Sequence, residues 1–235
     1  MDKSFLDISD NAKVTRLKVG QEQQPFLQID AFMHDAGILR QFAIDKNAFS
    51  VVDTFYPGVR MPIPGHYAKA LVHNLKDILE ADFGCTRDRI KSCFSSYSMV
   101  TFSPDQLTVD QRIPHFDTLS TKSIAFVHYL CNGENTGTSL YRHKQTGYEY
   151  VDQSRVAELT QILRSQLGNA HATPKGYITK GTDIFDQVHT VNSEFNRIIG
   201  YRGSSLHSGN IPADANFSKD PAAGRLTITT LIEFD

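Results

Sequence analysis

Five runs of this chain are rich in β-branched and aromatic residues and closely bracketed by turn formers. They are SCFSSYSMVTF (92–102), SIAFVHYLC (123–131), TSLYRHK (138–144), FNRIIGYRG (195–203) and RLTITTLIEFD (225–235). Such residues favour a pleated, half-buried surface. Gly, Asn, Pro and Asp collect between the runs, as in NGENTG (132–137) and GNIPADANFSKDPAAG (209–224). Many strands at short intervals with turn chemistry between them predict a sandwich or barrel. PFLQIDAF (25–32) and NAFSVVDTFY (47–56) extend the strand reading into the N-terminal part, and the Pro/Gly density of PGVRMPIPGH (57–66) predicts an irregular loop.

Two stretches carry a helical period. In 67–81, Leu71, Leu75, Ile78 and Leu79 share a face; in 153–167, Val156, Leu159, Ile162, Leu163 and Leu167 form one stripe, with Gly168 as a stop. Two helices would brace one outer face of the strands. The chain has no internal repeat, low-complexity tract or linker, so one domain is expected over residues 1–235, with the first fifty residues packed on its core as strands and extensions.

The hydrophobic share of 40% suits a soluble protein with a sizeable core. Fifteen Phe and nine Tyr without any Trp fit aromatic strands better than a helical bundle. A formal charge of −2 and the lack of a basic run leave no footprint for nucleic acid or an anionic membrane. Three cysteines without a CxxC pair, and a polar start MDKSFLDISDNAK, point to a reduced, cytoplasmic setting. No apolar run reaches the roughly 20 residues of a membrane helix. The two helices could support a homodimer.

The stretch RIPHFDTLS (112–120) sets His115 and Asp117 two positions apart. On a strand end, residues i and i+2 point the same way, so an imidazole nitrogen and a carboxylate oxygen would lie side by side while Phe116 turns into packing. A mixed N/O pair suits a first-row metal of intermediate softness, and two His with one carboxylate is the facial triad of non-haem Fe(II). YRGSSLHSGNI (201–211) supplies a third candidate, His207, at the close of a strand. Arg225 and Thr227 then begin the last strand on one face, and a planar guanidinium there would ask for a carboxylate.

His115-x-Asp117, His207 ninety residues on, and Arg225 with Thr227 resemble the Fe(II)/2-oxoglutarate-dependent dioxygenases. PHFD followed by SIAFVHYLCNGENTGTSLYRHKQTG is similar to the jelly-roll half of that superfamily, and FYPGVR, PHFD and YRH resemble a bacterial branch of it. The resemblance covers about residues 50–235. It implies a mainly β, double-stranded β-helix (jelly roll, cupin-like) with bracing α-helices. It further implies Fe(II) on His115, Asp117 and His207, 2-oxoglutarate held by Arg225 and Thr227, dioxygen as oxidant, and a small-molecule, amino-acid or peptide substrate. The chain departs from the pattern in the long interval from His207 to Arg225, which matches the loop 210–223. Halogenating relatives replace the carboxylate by a small residue, so Asp117 points to hydroxylation or another oxidation.

Tyr129 alternates with His128 in FVHYL; if its face looks inward, its hydroxyl could touch 2-oxoglutarate. Arg60 on the expected loop, Arg142 in YRH and Arg202 beside Tyr201 are candidates for the substrate, each against a structural role, and one of Tyr201 and Arg202 must point inward. His66, His171 and His189 lack partners at ligand spacing, and Cys131 reads as a small core hydrophobe. The serines at 204, 205 and 208 form no G-x-S-x-G elbow. Two other readings stand beside the oxygenase: a cupin-type metalloenzyme without 2-oxoglutarate, separated by whether Arg225 lines the metal pocket, and a non-enzymatic jelly-roll binding module.

Overall fold

A computed structural model describes residues 4–52, 55–168 and 174–235. In chain order the elements begin with β1 (Lys13–Val19), β2 (Gln24–Asp30), α1 (Ala36–Lys46), β3 (Ser50–Val51), β4 (Gly58–Pro62), α2 (His66–Phe83) and β5 (Ile90–Val100). They continue with β6 (Ser123–Tyr129), β7 (Gly133–His143), α3 (Val156–Leu167), β8 (Phe185–Ser193), β9 (Arg197–Arg202), β10 (His207–Asn210) and β11 (Leu226–Phe234). Every strand pairing is antiparallel. Eight strands form one sheet in the order β1-β2-β9-β6-β11-β5-β4-β3, and β10-β7-β8 form the other.

Alternation along the large sheet divides its side chains between two apolar layers. Ile124, Phe126, Ile198, Ile228 and Ile232 pack with Leu71, Leu75, Ile78 and Leu79 of α2 and with Leu39 of α1. Ala125, Val127, Tyr129, Ile199 and Tyr201 face the other way, onto Leu140 and Val191 of the small sheet. The Tyr129 face therefore looks into the space between the sheets. A third cluster joins Leu159 of α3 to Tyr141, Phe185 and Ile113, with Val156, Leu163 and Leu167 partly buried against it.

Several elements differ from expectation. α1 replaces part of the N-terminal region read as strands and extensions: Asp35 caps it by accepting from the Gly37 N–H at 2.9 Å, but only Ala36, Leu39 and Ala43 are buried, too sparse a stripe to read. The Pro/Gly-rich 57–66 segment contains β4, paired with β5 from Gly58↔Val100 to Pro62↔Ser96. Pro62 is tolerated because β3 reaches only Val59 and Arg60 on the other side. Among the described residues of 47–56, only Ser50–Val51 is strand. β1 gives no alternation because all but Val19 are exposed. The turn expected at 132–137 is the start of β7, where the pairing with β8 shifts register between Gly133 and Gly137. Among the described residues no helix is long and apolar enough to cross a membrane.

Candidate metal centre

His115 follows two 3-10 turns on an extended segment that pairs with the first residue of β10. The His115 N–H donates to the His207 carbonyl at 2.9 Å and the His207 N–H returns a bond of 2.8 Å. The Asp117 N–H then donates to the Gly203 carbonyl at 2.8 Å. Backbone pairing therefore fixes three side chains that are far apart in sequence. Phe116 turns away into the cluster with Ile113 and Tyr141.

The metal-ligating atoms of His115, Asp117 and His207 all lie within 4.8 Å of one another. His115 Nε2 stands 4.0 Å from Asp117 Oδ1, and His207 Nε2 stands 3.7 Å from Asp117 Oδ2. The Ser205 carbonyl, which can only accept, takes the proton of His207 Nδ1 at 3.0 Å. That leaves the Nε2 lone pair aimed at the carboxylate, the second-sphere arrangement that orients a metal-bound histidine. His207 is buried, whereas 53% of the His115 side chain is accessible, so the site opens on the His115 side. Protein packed around the rest of His115 and the neighbouring His207 imidazole lower its pKa to about 4, against the pull of Asp117, with Arg60 adding to the lowering. Two imidazoles and a carboxylate whose ligand atoms converge within 4.8 Å fit a divalent cation of the N/O-preferring kind.

The floor of the site is a row across four strands: Arg60 on β4, Ser98 on β5, Thr227 on β11 and Tyr129 on β6. Directly paired residues share a face, so all four look inward. Arg225 precedes β11 on the same side. Its Nη2 donates to the Gly137 carbonyl at 2.7 Å and its guanidinium carbon lies 5.6 Å from the Tyr129 ring centre. Its Nε is buried without a partner. The Thr227 hydroxyl gives its proton to the Ser98 carbonyl at 3.1 Å, leaving only its lone pairs for a ligand. The Tyr129 hydroxyl shares a 2.7 Å bond with Thr138, and burial raises its pKa against the pull of Arg225.

Two substrate candidates are not brought to the triad. Arg142 lies 3.4 Å from both Glu149 and Asp186 in a structural ion-pair cluster. Arg202, paired with the helix-facing Ile124, donates to the Phe83 carbonyl at 2.7 Å at the end of α2. It is Tyr201 that points inward, its ring 4.8 Å from that of His207. Arg60 lies on a strand rather than a capping loop, and stacks over the Tyr56 ring at 4.5 Å.

Ser96, Ser98 and Thr229 form a hydroxyl cluster at 2.9–3.4 Å that the sequence reading missed. The signal was present as period-2 alternation of small polar residues, but nothing said which face was inside. Tyr56, also missed, lies beside Arg60 and Arg225, whose charges both oppose the rise that burial imposes on its pKa. His66 meets Phe5 edge-on and His189 meets Phe26, both away from the triad's ligand atoms; His171 lies outside the described residues. Cys131 is half-buried rather than core, lining a cleft of about 270 Å³ with Asn132, Ile211, Phe217 and Arg225.

A family model described as a family of unknown function, DUF6445, matches residues 10–232. No curated protein matches. Among solved structures, the non-heme alpha ketoglutarate dependent carbocyclase SnoK from nogalamycin biosynthesis superposes with a TM-score of 0.50 at 10% identity, over 91% of this chain and 81% of that one. A Pseudomonas putida prolyl-4-hydroxylase gives 0.47 at 12% identity, over 91% and 95%. HygX from Streptomyces hygroscopicus, solved with nickel, 2-oxoglutarate and hygromycin B bound, gives 0.45 at 13%, over 90% and 84%. At such identity the likeness to SnoK establishes the fold alone: a mainly β jelly roll braced by helices.

Proposed function

The chain belongs to the DUF6445 family, and we propose that it is a non-haem Fe(II)- and 2-oxoglutarate-dependent oxygenase that hydroxylates a small-molecule, amino-acid or peptide substrate. The observation that carries this reading is the convergence of His115, Asp117 and His207, whose ligand atoms lie within 4.8 Å of one another at a site open on the His115 side. The fold shared with SnoK, described as alpha ketoglutarate dependent, raises the same reading by analogy.

In this reading the two imidazoles and the Asp117 carboxylate hold the iron. Bound iron, with 2-oxoglutarate and dioxygen, supplies the oxidising power that no side chain has. The protein positions the reactants. Ser205 fixes the His207 tautomer, and Arg225, whose Nε has no other partner, forks onto the distal carboxylate of 2-oxoglutarate. Tyr129 and the Thr227 oxygen complete that end of the cradle. Because Asp117 occupies the position that halogenating enzymes leave open, hydroxylation is the expected outcome. The bond from Arg225 to the Gly137 carbonyl favours a second reading, a cupin-type metalloenzyme without 2-oxoglutarate in which Arg225 is structural.

Anaerobic titration with Fe(II) and 2-oxoglutarate separates them. Bidentate chelation should give a weak visible charge-transfer band that vanishes in His115→Ala and weakens in Arg225→Ala. A band from iron-loaded wild type that is indifferent to Arg225→Ala would support the second reading. No band at all from folded, iron-loaded protein would sink the first.

A further inference from the structure

Arg60 is a second cation facing the interior, and among the described residues its guanidinium makes no hydrogen bond or ion pair. Its Nε is shut off from both water and protein acceptors. A guanidinium so placed is costly unless something answers its charge. The Tyr56 ring at 4.5 Å answers part of it through one face, which leaves the edge donors to fork onto an oxyanion. Arg60 is paired with Ser98, and Ser98 with Thr227. Two strand spacings, about 10 Å, thus separate its backbone from that of Thr227 beside Arg225. A single carboxylate of 2-oxoglutarate is answered by Arg225, so Arg60 asks for another anion. It shares the inward face of the large sheet with Thr227 and Tyr129, which places that anion between the sheets rather than at the outer surface.

We propose that Arg60, held flat against Tyr56 and aimed between the sheets, is the docking point for an anionic group of the substrate, a carboxylate or a phosphate, which makes the substrate a small organic acid or phosphate ester. This rests on the oxygenase reading for what happens to the bound molecule, but not for the binding itself. The aromatic rings of Tyr56 and Tyr129 suit a substrate with an apolar body next to its charge.

Metal-free protein is titrated by NMR with phenylacetate, phenyl phosphate and the neutral phenylacetamide, using wild type, Arg60→Gln, Arg60→Lys, Arg225→Gln and Arg202→Gln, each first shown to be folded by circular dichroism. One of the two anions is expected to bind wild type at least tenfold more tightly than the amide, and the tighter one identifies the class. Arg60→Gln should weaken it tenfold or more, Arg60→Lys should lie between, and Arg202→Gln, on the helix side of the large sheet, should stay within threefold of wild type. Equal binding of anion and amide, or loss in Arg225→Gln with retention in Arg60→Gln, overturns the proposal. Neither result depends on iron or 2-oxoglutarate, so a failure here is distinct from the missing absorbance band that would remove the oxygenase reading.

Discussion

The carbonyl of Gly137 holds Arg225 at 2.7 Å, and the position admits only glycine: a Cβ there would lie 1.9 Å from the Val191 carbonyl oxygen. Since that neighbour is backbone, Gly137→Ala must push β7 and β8 apart where their register already shifts. The variant is expected to lose roughly 1–3 kcal/mol in urea unfolding and to weaken the iron–2-oxoglutarate band as Arg225 loses its anchor; unchanged stability and band would show that the glycine is dispensable. At this scale much of the candidate site was legible. The two-residue spacing of His115 and Asp117 is enough to put both on one side, even though they lie on an extended segment with a single bridge rather than a regular strand. Alternation named the pairs Tyr201/Arg202 and Tyr141/Arg142 but could not choose between their members, because period 2 gives parity and not which face is inside. Long arginine side chains make that choice by finding acceptors, as Arg202 does at the Phe83 carbonyl, and those acceptors come from distant segments.

Between elements, one buried imidazole ties three of them together. His128 on β6 accepts from the Tyr67 hydroxyl of α2 at 3.1 Å through Nδ1 and donates through Nε2 to Asn196, just before β9, at 3.1 Å. Asn196 in turn bonds both backbone groups of Met33. Full burial lowers the His128 pKa from 6.5 to about 4, against the Asn196 bond. Between those values the unfolded chain takes up a proton that the folded chain refuses, so the His128 contribution is intact above pH 6.5 and is lost as pH falls toward 4. The loss is up to about 3 kcal/mol, with a slope up to about 1.4 kcal/mol per pH unit. Urea midpoints measured across this window should show a shallower slope in His128→Gln than in wild type; parallel slopes would remove His128 as the cause. Elements were legible where burial imposed a period. The α2 stripe of Leu71, Leu75, Ile78 and Leu79 is buried as expected, and β5, β6, β9 and β11 lie where aromatic and β-branched runs put them. β1, exposed along nearly its whole length, and α1, held by a cap and three small contacts, are fixed by partners rather than by their own pattern.

Over the whole molecule, the candidate metal centre joins parts of the chain that fold apart in sequence. His115 and Asp117 precede β6, whereas His207 opens β10, and the segment between them contributes β6 to β9 in both sheets. An ion shared by these three side chains would tie the segment before β6 to the first residue of β10, and the unfolded chain, with Asp117 and His207 ninety positions apart, has no comparable preformed site. Binding to the native state alone raises stability by mass action, about 2.7 kcal/mol when free metal is a hundredfold above its Kd. Mn(II), which suits N/O ligands without consuming dioxygen chemistry, is a convenient probe. Adding it to chelator-treated protein should raise the urea midpoint by an amount that grows with the logarithm of its concentration. His207→Ala and Asp117→Ala should lose this response, while Arg202→Gln, on the helix side of the large sheet, should keep it despite a lower starting stability. An equal rise in all four proteins would place the ion elsewhere. If wild type and Arg202→Gln alone respond, the convergence of two imidazoles and a carboxylate is explained as a site that the jelly roll assembles and a cation completes.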